Sequence, residues 1–158
     1  MIRLAWLAAG AVFVTAPVSA QQPAAPAPAT QASSAPVARV FGSNTGLVLN
    51  FIKADKTADF EAVMAKLKDA LEQSANPIRK EQAASWRVFK SPDPAAGGAA
   101  LYVYIVDPAV KGADYSVTAI LSEAYAADEL SALFKQYTEA YATGQNHVNL
   151  TLLSELGK

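Results

Sequence analysis

Twice in this chain a short alternating apolar run gives way to apolar residues at helical spacing, and that double switch of period admits few folds. Residues 47–52 (Leu-Val-Leu-Asn-Phe-Ile) read as a strand, stopped by Lys53, Ala54 and Asp55. Thr57 stands where an N-cap is wanted, with Asp59 and Glu61 in the first turn, where carboxylates favour the helix dipole. Phe60, Val63, Met64, Leu67 and Leu71 then form one stripe on a helix of about five turns, which Asn76 and Pro77 close. Strands are expected at 85–90 and 100–106, joined by the Pro/Gly-rich loop 91–98, with Asp107 and Pro108 as the stop.

In the second half, Val117, Ile120, Leu121 and Ala124 predict a short helix capped near Asp114 or Ser116. A longer helix is expected over about 128–141, carrying Leu130, Leu133, Phe134, Tyr137 and Tyr141 on one side, with Gly144 as its stop. Val148, Leu150 and Leu152 mark a last strand. The order predicts an α+β fold, β-α-β-β-α-β and ferredoxin-like, with a four-stranded antiparallel sheet and helices on one face. Leu47, Leu49, Phe51, Leu101, Val103, Ile105, Val148, Leu150 and Leu152 are uniformly apolar and are expected beneath the helices. The opposite set is mixed: Val48, Asn50, Ile52, Tyr102, Tyr104, Val106, His147, Asn149, Thr151 and Leu153.

Ahead of the domain, residues 1–20 carry Arg3, a short apolar run, Pro17 and the small residues Val18, Ser19 and Ala20, the pattern of a cleaved export signal. Cleavage is expected after Ala20, giving a periplasmic or secreted protein with no membrane segment left. Residues 21–40 are a Pro/Ala/Gln/Ser tract expected to be a disordered tether, and 41–158 the folded domain. The chain has no Cys, so the fold uses no disulfide and no thiolate metal or redox site exists. With a net charge of −1 and no basic stripe, a nucleic-acid partner is not expected.

Residues 53–60 (Lys-Ala-Asp-Lys-Thr-Ala-Asp-Phe), following the first strand, together with the element order, resemble the dimeric α/β-barrel superfamily. That superfamily includes antibiotic-biosynthesis-monooxygenase-like proteins and small haem-degrading monooxygenases. The chain also resembles uncharacterised exported bacterial proteins that carry this domain behind a signal and a Pro/Ala tether. The resemblance implies a homodimer whose mixed sheet faces enclose any binding site. It puts Asn50, Tyr102, Tyr104, Asn149, Thr151, His147 and Trp86 forward as ligand-binding residues. Tyr hydroxyls and Asn amides on a pleated wall orient a ligand's polar atoms, while the rings bury its apolar part.

No motif fixes a reaction, and no catalytic residue is assigned. His147 is the sole His, so no His-rich metal site is expected, and no cofactor follows from the residues. Two readings result. One is an exported module that binds a small molecule or serves as a structural dimer. The other, resting on the family's use of an Asn on the first strand with a Trp and a His, is a cofactor-independent or haem-handling monooxygenase-like enzyme. Only Asn50 matches that pattern by position.

Overall fold

The computed structural model describes residues 38–157, so the expected export segment 1–20 and the tether as far as residue 37 lie outside the described residues. Four strands form one antiparallel sheet: β1 (Thr45–Ile52), β2 (Trp86–Lys90), β3 (Ala100–Val106) and β4 (Tyr141–Leu150). Their spatial order is β2-β3-β1-β4, which leaves β2 and β4 at the edges. The helices are α1 (Thr57–Gln73), α2 (Pro77–Ser85), α3 (Val117–Ala124) and α4 (Ala127–Ala140). None of the helices among the described residues is long and apolar enough to cross a membrane.

The α1 stripe forms as its spacing predicts, with Phe60, Val63, Leu67 and Leu71 buried and Met64 partly so. Thr57 is not its cap. A 3-10 turn at Ala54–Lys56 runs straight into the helix, making Thr57 its first residue, and Lys56 pairs with Asp59 at 2.9 Å. Asn76 does begin something: its side chain accepts the Ile78 N–H at 3.0 Å and Pro77 opens α2. This helix has no apolar period to betray it, because the residues it buries are Arg79, Gln82 and Ser85. Nor does Gly144 stop a helix. The chain passes from α4 into β4 at Tyr141 without a loop, and Gly144 lies within the strand.

The largest correction concerns the two faces of the sheet. The helices cover the mixed set, not the uniformly apolar one. Val48, Asn50, Ile52, Tyr102, Tyr104 and Val106 are buried, and they join Phe60, Val63, Leu67, Ile120, Leu121, Leu133 and Tyr137 in the core. Leu47, Leu49, Phe51, Leu101, Val103 and Ile105 sit on the other face, half-buried with no layer above them. Val148 and Leu150 are exposed there too, while Leu152 lies beyond the last strand altogether. Tertiary packing overrides the simple ranking of faces because the mixed set supplies more large rings to fill the layer, and its polar atoms find partners within it.

The chain ahead of β1 also packs on the domain. Tyr115 N–H donates to the Arg39 carbonyl at 2.8 Å, Arg39 N–H donates to Asp114 Oδ1 at 2.8 Å, and Phe41 is buried against Tyr115.

A buried polar cluster beneath the sheet

The register of β1 against β4 shifts between Asn50, opposite Gln145, and Ile52, opposite Tyr141. The residues between, Ala142 to Gly144, are exposed, so Tyr141 and Gln145 both come to bear on Asn50. Asn50 is completely buried and fully used. Its Nδ2 donates to the Tyr102 carbonyl at 3.2 Å and to the Val48 carbonyl at 3.3 Å. Its Oδ1 accepts from Gln145 Nε2 at 2.7 Å and from the Tyr141 hydroxyl at 3.0 Å. Tyr137 completes the cluster, with its hydroxyl 2.7 Å from that of Tyr141 and 2.9 Å from Gln145 Nε2. Burial pushes the Tyr104, Tyr137 and Tyr141 phenols above their ordinary range, so all three stay neutral.

Beside this cluster is an aromatic box. Trp86 meets Tyr104 and Tyr115 edge-on at 5.5 and 5.4 Å, and Phe41 stacks on His147 at 4.5 Å. Trp86 Nε1 and His147 Nε2 are buried with no hydrogen-bond partner. The space that Trp86, Tyr104, Tyr115, Phe41 and His147 enclose is about 10 Å³. That is roughly the least that admits one water, against the roughly 300–1,000 Å³ of ordinary ligand pockets.

Of the seven residues put forward from the sequence, the fold brings Asn50, Tyr104, Trp86 and His147 to this region. Tyr102 shares their face, but its hydroxyl reaches the rim, where it donates to Glu61 beneath Lys90. Asn149 is exposed and accepts the Gly42 N–H at 2.8 Å, and Thr151 is exposed past the end of β4. The residues the sequence reading missed are Phe41, Tyr115, Tyr137, Tyr141 and Gln145. Tyr137 and Tyr141 were visible as a helical stripe, but nothing local marks Gln145 as buried.

A haem does not fit these residues. The Asn50 oxygen is already taken by two donors, the His147 ring is stacked on Phe41, and the enclosed space is far too small. Elsewhere, a cleft of about 270 Å³ lies between α1 and α3, but Arg79 on its wall is spent. Its Nε and Nη2 hold both Glu123 carboxylate oxygens, at 3.0 and 2.6 Å, and Nη1 donates to Gln82 and to the Asp114 carbonyl. Among the described residues no three His, Asp or Glu side chains cluster as a metal site would require.

His147 gives the site a pH signature. Desolvation, and then the charge of Arg39, hold its pKa below the ordinary 6.5. The fold therefore favours the neutral ring, so this stabilisation is complete above about pH 6.5 and is lost as pH falls through the lower folded value. Asp114 is also held low: burial raises its pKa, but hydrogen bonds from Ser116 and from Arg39 N–H outweigh that. Its contribution is lost only below about pH 4. Urea midpoints should thus fall as the pH drops below about 6.5 in the wild type, whereas His147→Phe should remove the onset of that fall. A slope that survives the substitution would exonerate His147.

Compared with known proteins, the chain matches no family model, no curated protein and no solved structure.

Proposed function

We propose that this chain is an exported structural module that works as a homodimer, ferredoxin-like in connectivity, with the open sheet faces of two copies packed together as a barrel. One observation carries the reading. The face of the sheet that no helix covers is largely apolar, with Phe89, Leu101, Val103, Ile105, Leu47, Leu49, Phe51 and Val148 drawn from all four strands, and Arg87 opposite Ile105 and Asn146 opposite Leu49 as polar members. Phe89 and Val148 are 48% and 37% exposed in a single copy. A contiguous apolar patch of this kind on an isolated domain is an association liability, and two sheets packed about 10 Å apart remove it.

The polar cluster favours a structural role over ligand capture. Asn50, Gln145, Tyr137 and Tyr141 satisfy one another, and an organic ligand would have to break those bonds to enter. Buried networks of this sort fix one packing arrangement. Export rests on the signal pattern of residues 1–20. Light scattering on the purified protein tests the dimer: at tens of micromolar, a concentration on the order of ordinary specific affinities, twice the chain mass is expected. A monomer there would overturn the reading.

A further inference from the structure

Residues 38–42 form an irregular strap ahead of β1, and the one large side chain the strap buries is Phe41. The sheet builds a seat for it. The Phe41 ring lies flat on His147 of β4, 12° from parallel with centroids 4.5 Å apart, and meets Tyr115 edge-on at 5.1 Å. Gly46 of β1 completes the seat, since a Cβ there would run into the Phe41 ring. Three backbone amides fasten the strap. Arg39 N–H donates to Asp114 Oδ1, Tyr115 N–H to the Arg39 carbonyl and Gly42 N–H to Asn149 Oδ1, each at 2.8 Å. Beyond it the Asn44 carbonyl, held by Ala109 N–H at 2.6 Å, marks the hinge. We propose that this strap is closed at neutral pH and released in acid, when His147 takes up a proton. The inference goes beyond the structural reading above and needs no second copy of the chain.

Beneath the closed strap there is a place for a neutral imidazole only. His147 Nε2 is buried with no hydrogen-bond partner. In the imidazolium that atom carries an N–H, which would be left without an acceptor. The other orphan of the box, Trp86 Nε1, is itself a donor. Nor does any group walling this space balance a second charge. The strap contributes Arg39, itself a cation, while β3, α4 and the loop before α3 contribute the phenols of Tyr104, Tyr137 and Tyr115. From β4 comes neutral Gln145, and β1 and α3 add only valines. The Asp114 carboxylate accepts from Arg39 N–H and from Ser116 instead. Stacking on the Phe41 face returns a little to a cation, less than the unpaired N–H and the Arg39 charge take away. Desolvation, and next the charge of Arg39, hold the His147 pKa below 6.5.

Of the elements around His147, the strap is the one that can leave while the sheet stays whole. Its Arg39 and Gly42 bonds lie at the surface, and the strap takes no part in the strand ladders. Opening at the hinge lifts Phe41 from the ring, admits water to Nε2 and carries Arg39 away. The open state therefore binds the proton more tightly than the closed one. Opening is least above about pH 6.5, rises about tenfold per pH unit as pH falls towards the lower folded pKa, and levels off beneath it.

Amide hydrogen exchange on the intact chain between about pH 7 and 5, corrected for the intrinsic pH dependence of exchange, tests this. The Arg39, Gly42 and Tyr115 amides should lose protection about tenfold per pH unit below about 6.5, while the β3 amides keep theirs. His147→Phe preserves the ring stack but cannot titrate, and it should abolish that dependence. Gly46→Ala should unseat Phe41 and leave the strap amides unprotected already at pH 7. Strap protection that ignores pH overturns the proposal, and so does an undiminished pH dependence in His147→Phe. Loss of β3 protection in step with the strap would mean unfolding of the whole domain and also overturns it. A Gly46→Ala protein whose strap stays as protected as the wild type at pH 7 does the same.

Discussion

Tyr104→Asp should leave the chain unfolded, while Val103→Asp, one residue away, should leave it folded and monomeric. Tyr104 is 2% exposed, with Trp86 edge-on at 5.5 Å and the Phe60 ring 6.4 Å away. Its hydroxyl meets Met64 Sδ at 3.1 Å and otherwise the neutral Tyr137 and Tyr141 phenols, so no cation stands ready for a carboxylate. An unpaired charge left there costs about 3–5 kcal/mol or more, and losing the ring deepens the loss. A domain of this size has roughly 5–15 kcal/mol in all.

Val103 faces the other way, between Leu49 of β1 and Phe89 of β2. In a single copy a carboxylate there meets water and costs the fold little. In the proposed dimer it would be buried without a partner, which should weaken association at least about a hundredfold. Circular dichroism and light scattering on the two variants separate these outcomes. A folded Tyr104→Asp protein beside an unfolded Val103→Asp protein would mean the faces are the other way round.

Phe60→Ala should lower stability by about 3–5 kcal/mol, as truncation of a buried aromatic does. Phe60 is completely buried where α1 meets the sheet and α4. Its ring lies 4.7 Å from that of Tyr102, 6.1 Å from Tyr137 and 6.0 Å from Tyr141. The cavity left by Ala cannot close without moving those rings, two of which are held by the Asn50–Gln145 hydrogen bonds. At a urea dependence of about 2 kcal/mol per molar, within the usual range of about 1–3, the midpoint should fall by about 2 M. An unchanged midpoint would place Phe60 outside the core.

Local pattern was enough for most elements. The 3.6-residue stripe of α1, the alternation of β3 and the Pro/Gly loop at 91–98 each announce themselves within a few residues, because period and turn chemistry are local properties. The element order then led to an antiparallel four-stranded sheet. What failed locally is equally specific. Helix α2 hid because it buries Arg79 and Gln82, whose partners Glu123 and the Asp114 carbonyl are more than thirty residues away. Gln145 directly follows Gly144 and carries no local sign of burial, and only its pairing opposite Asn50 brings its side chain into the polar cluster.

The seven candidate site residues divide along the same line. Asn50, Tyr102, Tyr104, Trp86 and His147 lie beneath the sheet because strand parity puts them on one face, and parity is legible in the sequence, although the Tyr102 hydroxyl reaches out to Glu61. Asn149 and Thr151 have that parity too, but they lie where the sheet ends, which only the β1–β4 register reveals.

Alternation by itself determined that each strand has two faces and which residues share each one. Which face the helices would cover was decided only in three dimensions, by the side to which the chain turns as it leaves each strand and by how well rings and polar atoms could be packed there. The buried face is the one with Asn50 and three tyrosines, because distant Gln145 and Tyr141 satisfy the polar atoms that made it look solvent-facing.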